Sequence, residues 1–163
     1  MAAVDYFLKI DGIEGESGDS VHKGQIELES WSWGESNTGG SSHGGGGGAG
    51  KVAMQDFHFV MKMNKATPKL ILACAQGTHI PACVLTGRKA GGGQQEYFNY
   101  KFSDVFISSY QTGGSGGGEI VPMDQISFNF TKIEMEYKEQ KKDGSTTTSA
   151  KMNYDVKANK GGA

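Results

Sequence analysis

From Asp56 to Gly77 the apolar residues change from a period of two to a helical period, and no other stretch repeats the second pattern as clearly. Phe57, Phe59, Met61 and Met63 alternate with His58, Val60, Lys62 and Asn64, the spacing of a half-buried strand. Thr67 to Gly77 is then punctuated as a helix. Thr67 suits the N-cap, Pro68 the first helical position, and Gly77 the left-handed position after the last turn. The rod from Pro68 to Gln76 is only ~13 Å long, and helices this short need packing to persist. Leu70, Ile71 and Cys74 are therefore expected as its buried core, with Leu72 and Ala75 beside them.

Everything else alternates. Val4 to Ile10 predicts a first strand, with Tyr6, Leu8 and Ile10 on one face. Gln25 to Trp33 predicts a second with a phase break, because Ile26 and Leu28 share one parity while Trp31 and Trp33 share the other. Such a break marks a bulge, here near Glu29-Ser30. Cys83 to Arg88 is a short strand and Tyr97 to Gln111 the longest, with Phe98, Tyr100, Phe102, Phe106 and Tyr110 on one face. Tyr97, Val105 and Ile107 lie on its other face, which predicts burial on both sides. Gln125 to Lys138 slips phase between Phe130 and Ile133, and Asp143-Gly144 turns a hairpin into a strand carrying Met152, Tyr154 and Val156. The expected fold is mostly β: a compact β-barrel of two packed sheets with one short flanking α-helix.

Glycine sets the loops. The 26 glycines are about twice the usual share, but they cluster. Gly39 to Gly50 has too few side chains to form a core and is expected to be a flexible loop within a single domain spanning 1–163. The polar tail 157–163 is expected to fray. A net charge of −2, with Arg88 the only arginine, argues against a nucleic-acid or anionic-membrane surface. Two cysteines make no disulfide framework. No leader peptide or membrane-spanning apolar run is visible, so the chain is expected to fold in the cytoplasm.

Three motif matches fail on context. Gly45 to Lys51 fits the start of a phosphate-binding loop, but Val52 and a strand follow where Ser or Thr and a helix are needed. Gly113-Gly114-Ser115-Gly116-Gly117 fits a nucleophile elbow with no helix after Ser115. Cys74, His79 and Cys83 lack the paired spacing of a metal site. No catalytic set, metal or cofactor is expected. Trp31 and Trp33 read as core or interface residues, with a sugar-stacking platform as the alternative on a monomeric β-sandwich that binds carbohydrate or protein.

The chain resembles the haemolysin-coregulated protein (Hcp) family of type VI secretion. The resemblance is carried by Tyr6-Phe7-Leu8-Lys9-Ile10-Asp11-Gly12-Ile13-Glu14-Gly15-Glu16-Ser17 and by Ile26-Glu27-Leu28-Glu29-Ser30-Trp31-Ser32-Trp33-Gly34. It continues through Gly50-Lys51-Val52, Gln55-Asp56-Phe57, Thr67-Pro68-Lys69-Leu70, Ser108-Ser109-Tyr110, Phe130-Thr131-Lys132-Ile133 and Asp143-Gly144. It implies a bacterial tube protein: homohexameric rings stacked into a hollow tube, capped by a spike protein, ejected by a contractile sheath, and carrying effector proteins. It also implies secretion from the cytoplasm without a cleavable signal. On that footing Ser41, Ser42, His43 and Lys51 are expected to touch the neighbouring ring.

Overall fold

The computed structural model describes residues 4–37, 51–89, 95–118 and 120–163. Twelve strands and one helix follow in order: β1 (Val4–Ile10), β2 (Ile26–Glu27), β3 (Ser30–Ser32), β4 (Glu35–Asn37), β5 (Val52–Met54), β6 (Phe57–Lys62), α1 (Thr67–Gln76), β7 (Ile80–Lys89), β8 (Glu96–Gly113), β9 (Met123–Asn129), β10 (Lys132–Gln140), β11 (Thr146–Asp155) and β12 (Lys160–Gly162). One path of antiparallel strands runs β12-β11-β10-β8-β7-β1-β2; β8 also pairs with β9, β9 with β6, and β6 with β3. β2 and β3 are successive pieces of one stretch, the first on β1 and the second on β6. Between them the Leu28 N–H bonds the Tyr6 carbonyl and the Glu29 N–H bonds the Val60 carbonyl. β2 and β3 therefore link the two sheets on one side of the core and β8 links them on the other, while β10, β11 and β12 flare off as a wing.

The phase breaks mark where strands change sheet. The Ile26/Trp31 parity switch is the passage from β2 to β3, and the slip after Phe130 is the kink between β9 and β10. β8 bends too. Its first half pairs with β7 and β10, its second half with β9, and Asp104 between them has φ 53°. Aspartate tolerates that left-handed conformation better than most residues. Beyond the bend, Val105 and Ile107 point into the core, while Phe106 and Tyr110, expected to share the face of Phe98 and Phe102, are only half-buried. The tail expected to fray instead turns and adds β12 to β11 through Asn153, Tyr154 and Asp155.

The core is aromatic. Phe57 lies 5.0 Å from Phe102 and 4.9 Å from Phe128 between ring centroids, and all three are fully buried. Gly87 lets Phe98 lie against β7, since a Cβ there would fall 2.3 Å from the ring. Trp31 packs on Tyr6, Phe57, Phe98 and Tyr100, and Trp33 on Tyr100 and Phe130. Both tryptophans are half-buried and engaged by neighbouring rings, which does not suit a sugar platform.

Helix α1 closes as expected at Gly77, whose φ of 62° lets its N–H reach the Ala73 carbonyl. Its start differs. Ala66 occupies the cap position and no side chain caps the helix; Asn64 Oδ1 instead accepts the Ala66 N–H at 2.8 Å. Thr67 turns its hydroxyl towards Asp124, donating to Oδ2 at 2.7 Å. The Tyr110 hydroxyl donates to the other oxygen at 2.9 Å, so a fully buried carboxylate joins α1, β8 and β9.

Candidate assembly surfaces

Most of the wing has little core beneath it. β10 and β11 pair from Lys132↔Asp155 to Gln140↔Thr146, and Asp143 shapes the turn by accepting the Ser145 N–H at 2.9 Å. Thr147 to Lys151 are exposed in succession, so this part of β11 is open on both faces. β12 covers only Asn153 to Asp155, so among the described residues the outer backbone edge of β11 from Thr146 to Met152 has no strand partner. It holds no proline, and it carries one lysine, Lys151, and a bulge at Ser149. An edge of this kind is a template for another chain. Its basal end joins the body through Met152, Tyr154 and Val156, which pack on the core, and the Tyr154 hydroxyl also bonds Asn159.

Residues 14–25 form a strap over β1 and β7. Phe7 points away from the barrel interior, yet it is 1 % exposed because the His22 ring stacks on it at 4.4 Å. His22 is held by Gln25 at 3.1 Å and by Glu96 at 2.7 Å. Arg88 lies over the same phenyl ring and pairs with Asp19 at 2.8 Å and Asp5 at 3.2 Å. The guanidinium, with the Val21 and His22 backbone N–H groups, holds the Asp19 carboxyl well below the usual carboxylate range. The chain's single arginine is therefore a clip for the strap. The sequence signals were Phe7 among the polar residues of its face and the lone arginine, but no periodicity could join them.

The expected helix core divides. Leu70 is fully buried, whereas Ile71 is 44 % exposed and Cys74 is half-covered. Thr67, Leu70 and Ala73, three residues apart, form the packed line, leaving Ile71 and Leu72 outside. Of the four residues assigned to the inter-ring loop, Ser41, Ser42 and His43 lie outside the described residues; Lys51 is exposed immediately before β5. Ser115 sits in an exposed turn with no helix after it. Cys83 is in the core, and burial raises its thiol far above the ordinary range. His79 is on the surface at the β8 bend, 2.8 Å from Asp104, whose second oxygen accepts the Thr131 hydroxyl. No group of three or more His, Cys, Asp and Glu side chains that could hold a metal occurs among the described residues. Nor is any described helix long and apolar enough to cross a membrane.

Comparison with known proteins places these surfaces in a family. Residues 7–137 match the family model described as type VI secretion system effector, Hcp. The chain is 42% identical over 144 residues to protein hcp1 of Pseudomonas aeruginosa, covering 88% of both chains. It resembles the crystal structure of Hcp1 from Salmonella typhimurium with a TM-score of 0.77 and 37% identity, covering 98% of this chain and 99% of that one. A structure described as a type six secretion system protein superposes with a TM-score of 0.91 at 31% identity, over 98% and 100% of the two chains. A β-rich chain with one short helix, matched over nearly its whole length, belongs to the Hcp family of type VI secretion system proteins.

Proposed function

We propose that this chain is a structural, non-enzymatic subunit of the type VI inner tube, forming homohexameric rings that stack and carry effector proteins. The tube would be capped by the spike protein and ejected from the bacterial cytoplasm by the contractile sheath. The observation that carries this reading is the wing: an antiparallel sheet in which β11 is exposed on both faces from Thr147 to Lys151 and open at its outer edge along Thr146–Met152. Such a sheet gains its missing neighbours when copies assemble. Head-to-tail contacts that close by rotation give rings. Ser41, Ser42, His43 and Lys51 would meet the next ring, where the small glycine-rich segment lets two backbones approach closely.

Light scattering coupled to size-exclusion chromatography tests the reading. A ring elutes at about six times the 17.4 kDa chain mass. A monodisperse monomer at micromolar concentration overturns it. Hydrolysis of a nucleotide or ester that disappears in Lys51→Ala or Ser115→Ala would overturn the structural role.

A further inference from the structure

We infer that neighbouring copies in a ring are joined by an electrostatic, heterologous contact, in which the lysine-bearing β11–β12 edge of one copy docks on the carboxylate-bearing strap and β2 surface of the next. This presupposes the ring proposed above but goes further, since it names the two surfaces and the force between them.

The charges are sorted along the sheet. Between Val4 and Asn37 the chain has eight carboxylates and two lysines; from Lys141 onward it has five lysines and two aspartates. β1 and β2 of the first segment lie at one end of the path β12-β11-β10-β8-β7-β1-β2, and β11 and β12 of the second at the other; β3 and β4 lie off it. Six strand spacings separate the ends, ~29 Å measured along the sheet. Among the described residues no ion pair joins the two segments within one copy.

Most of these charges are also unspent. Lys151, Lys157 and Lys160 are exposed and have no ion pair among the described residues. On the other surface Glu16 and Glu27 are likewise exposed and unpaired, while Glu14 and Glu29 have only loose partners in Lys65 at 3.6 Å and Lys62 at 3.8 Å. Asp5 and Asp19 are committed to Arg88 and do not count.

The sorting also selects the geometry of association. An isologous contact would set lysine edge against lysine edge, or carboxylates against carboxylates, and like charges facing each other oppose binding. The complementary arrangement repeats head to tail and closes into a ring. Exposed ion pairs are each weak, so the charges fix partner, register and association rate while the open β11 backbone supplies the directional bonds.

Charge reversal tests this. Two variants are made: Lys151→Glu with Lys160→Glu, and Glu16→Lys with Glu27→Lys, each checked for native near-ultraviolet circular dichroism. Each alone is expected to stay monomeric in light scattering at low salt. An equimolar mixture is expected to form rings in which the two variants alternate, and a chain carrying all four reversals is expected to form rings alone. Wild-type association should slow at least about tenfold between 0.05 and 1 M salt. Single variants that form rings like the wild type, or a mixture that stays monomeric, overturn the electrostatic contact and leave the tube-subunit role standing. A wild type that is monomeric at every salt concentration overturns that role as well.

Discussion

The barrel and the wing are made of the same antiparallel ladder, yet different forces hold them. The rings of Phe57, Phe59, Phe102 and Phe128 are all fully buried, and the strands are backing for an aromatic core. Along β11 five consecutive residues are exposed, and only the basal Met152, Tyr154 and Val156 reach the core. An isolated two-stranded hairpin is marginal in water, so the wing borrows stability from β8, beside which β10 lies. Burial makes the barrel a monomer's fold. A ladder without burial is a surface suited to assembly.

The comparison is broken most directly by truncating one aromatic residue in each region. Phe57→Ala is expected to cost ~3–5 kcal/mol in urea unfolding, because the emptied site is walled by other rings. Tyr137→Ala, on the 43 % exposed wing residue, should cost under ~1 kcal/mol. Equal costs would mean that the wing has a core of its own.

Next in size is the pin between barrel and helix. Asp124→Ala leaves the Thr67 and Tyr110 hydroxyls without their acceptor, with an expected loss of about 1–3 kcal/mol in the same assay. A neutral result would show that α1 is held by Leu70 and Ala73 alone.

The strap adds a pH dependence that rests on an ion pair. Asp19 has a folded-state pKa depressed below its ordinary 3.8, chiefly by Arg88. Its contribution is therefore present above that ordinary value and is lost as pH falls below it. The wild-type unfolding midpoint should drop more steeply between pH 5 and pH 2 than that of Asp19→Asn, with exchange of the Gly15, Ser17 and Gly24 amides rising first. Identical slopes would remove the clip from the acid response.

The smallest effect belongs to the open edge. Thr148→Val should change monomer stability by no more than about 0.5 kcal/mol. The outward amides of Thr146–Met152 should nonetheless exchange fast in monomers and slowly in rings. Protection already present in monomers would mean the edge is covered within one chain.

Much of this was legible because two periods dominate the chain. Alternation located the long strands, and the parity breaks at Ile26/Trp31 and Phe130/Ile133 located two sheet crossings, since a strand that changes sheet must change which side faces the core. The third crossing was hidden. Phe106 and Tyr110 keep the parity of Phe98, so the bend at Asp104 was visible only in Val105 and Ile107 lying out of phase. Ile71 was misplaced because a short helix apolar on several sides does not say which side will be covered. Leu70 and Ala73 face the barrel; Ile71 and Leu72 do not.

Local chemistry thus determined by itself what depends on neighbours in sequence: the helix stop at Gly77, the Asp143-Gly144 turn, the alternation of each strand, and the sorting of acidic and basic residues along the chain. Only the tertiary structure decided what depends on distant partners. It set Arg88 over Phe7 and against Asp19, sealed Asp124 between Thr67 and Tyr110, and left the outer edge of β11 from Thr146 to Met152 without a strand partner among the described residues. The physical reason is range. Period, turns and caps act over a few residues, whereas burial, ion pairing and an open edge exist only once the chain has folded and brought together residues far apart in sequence.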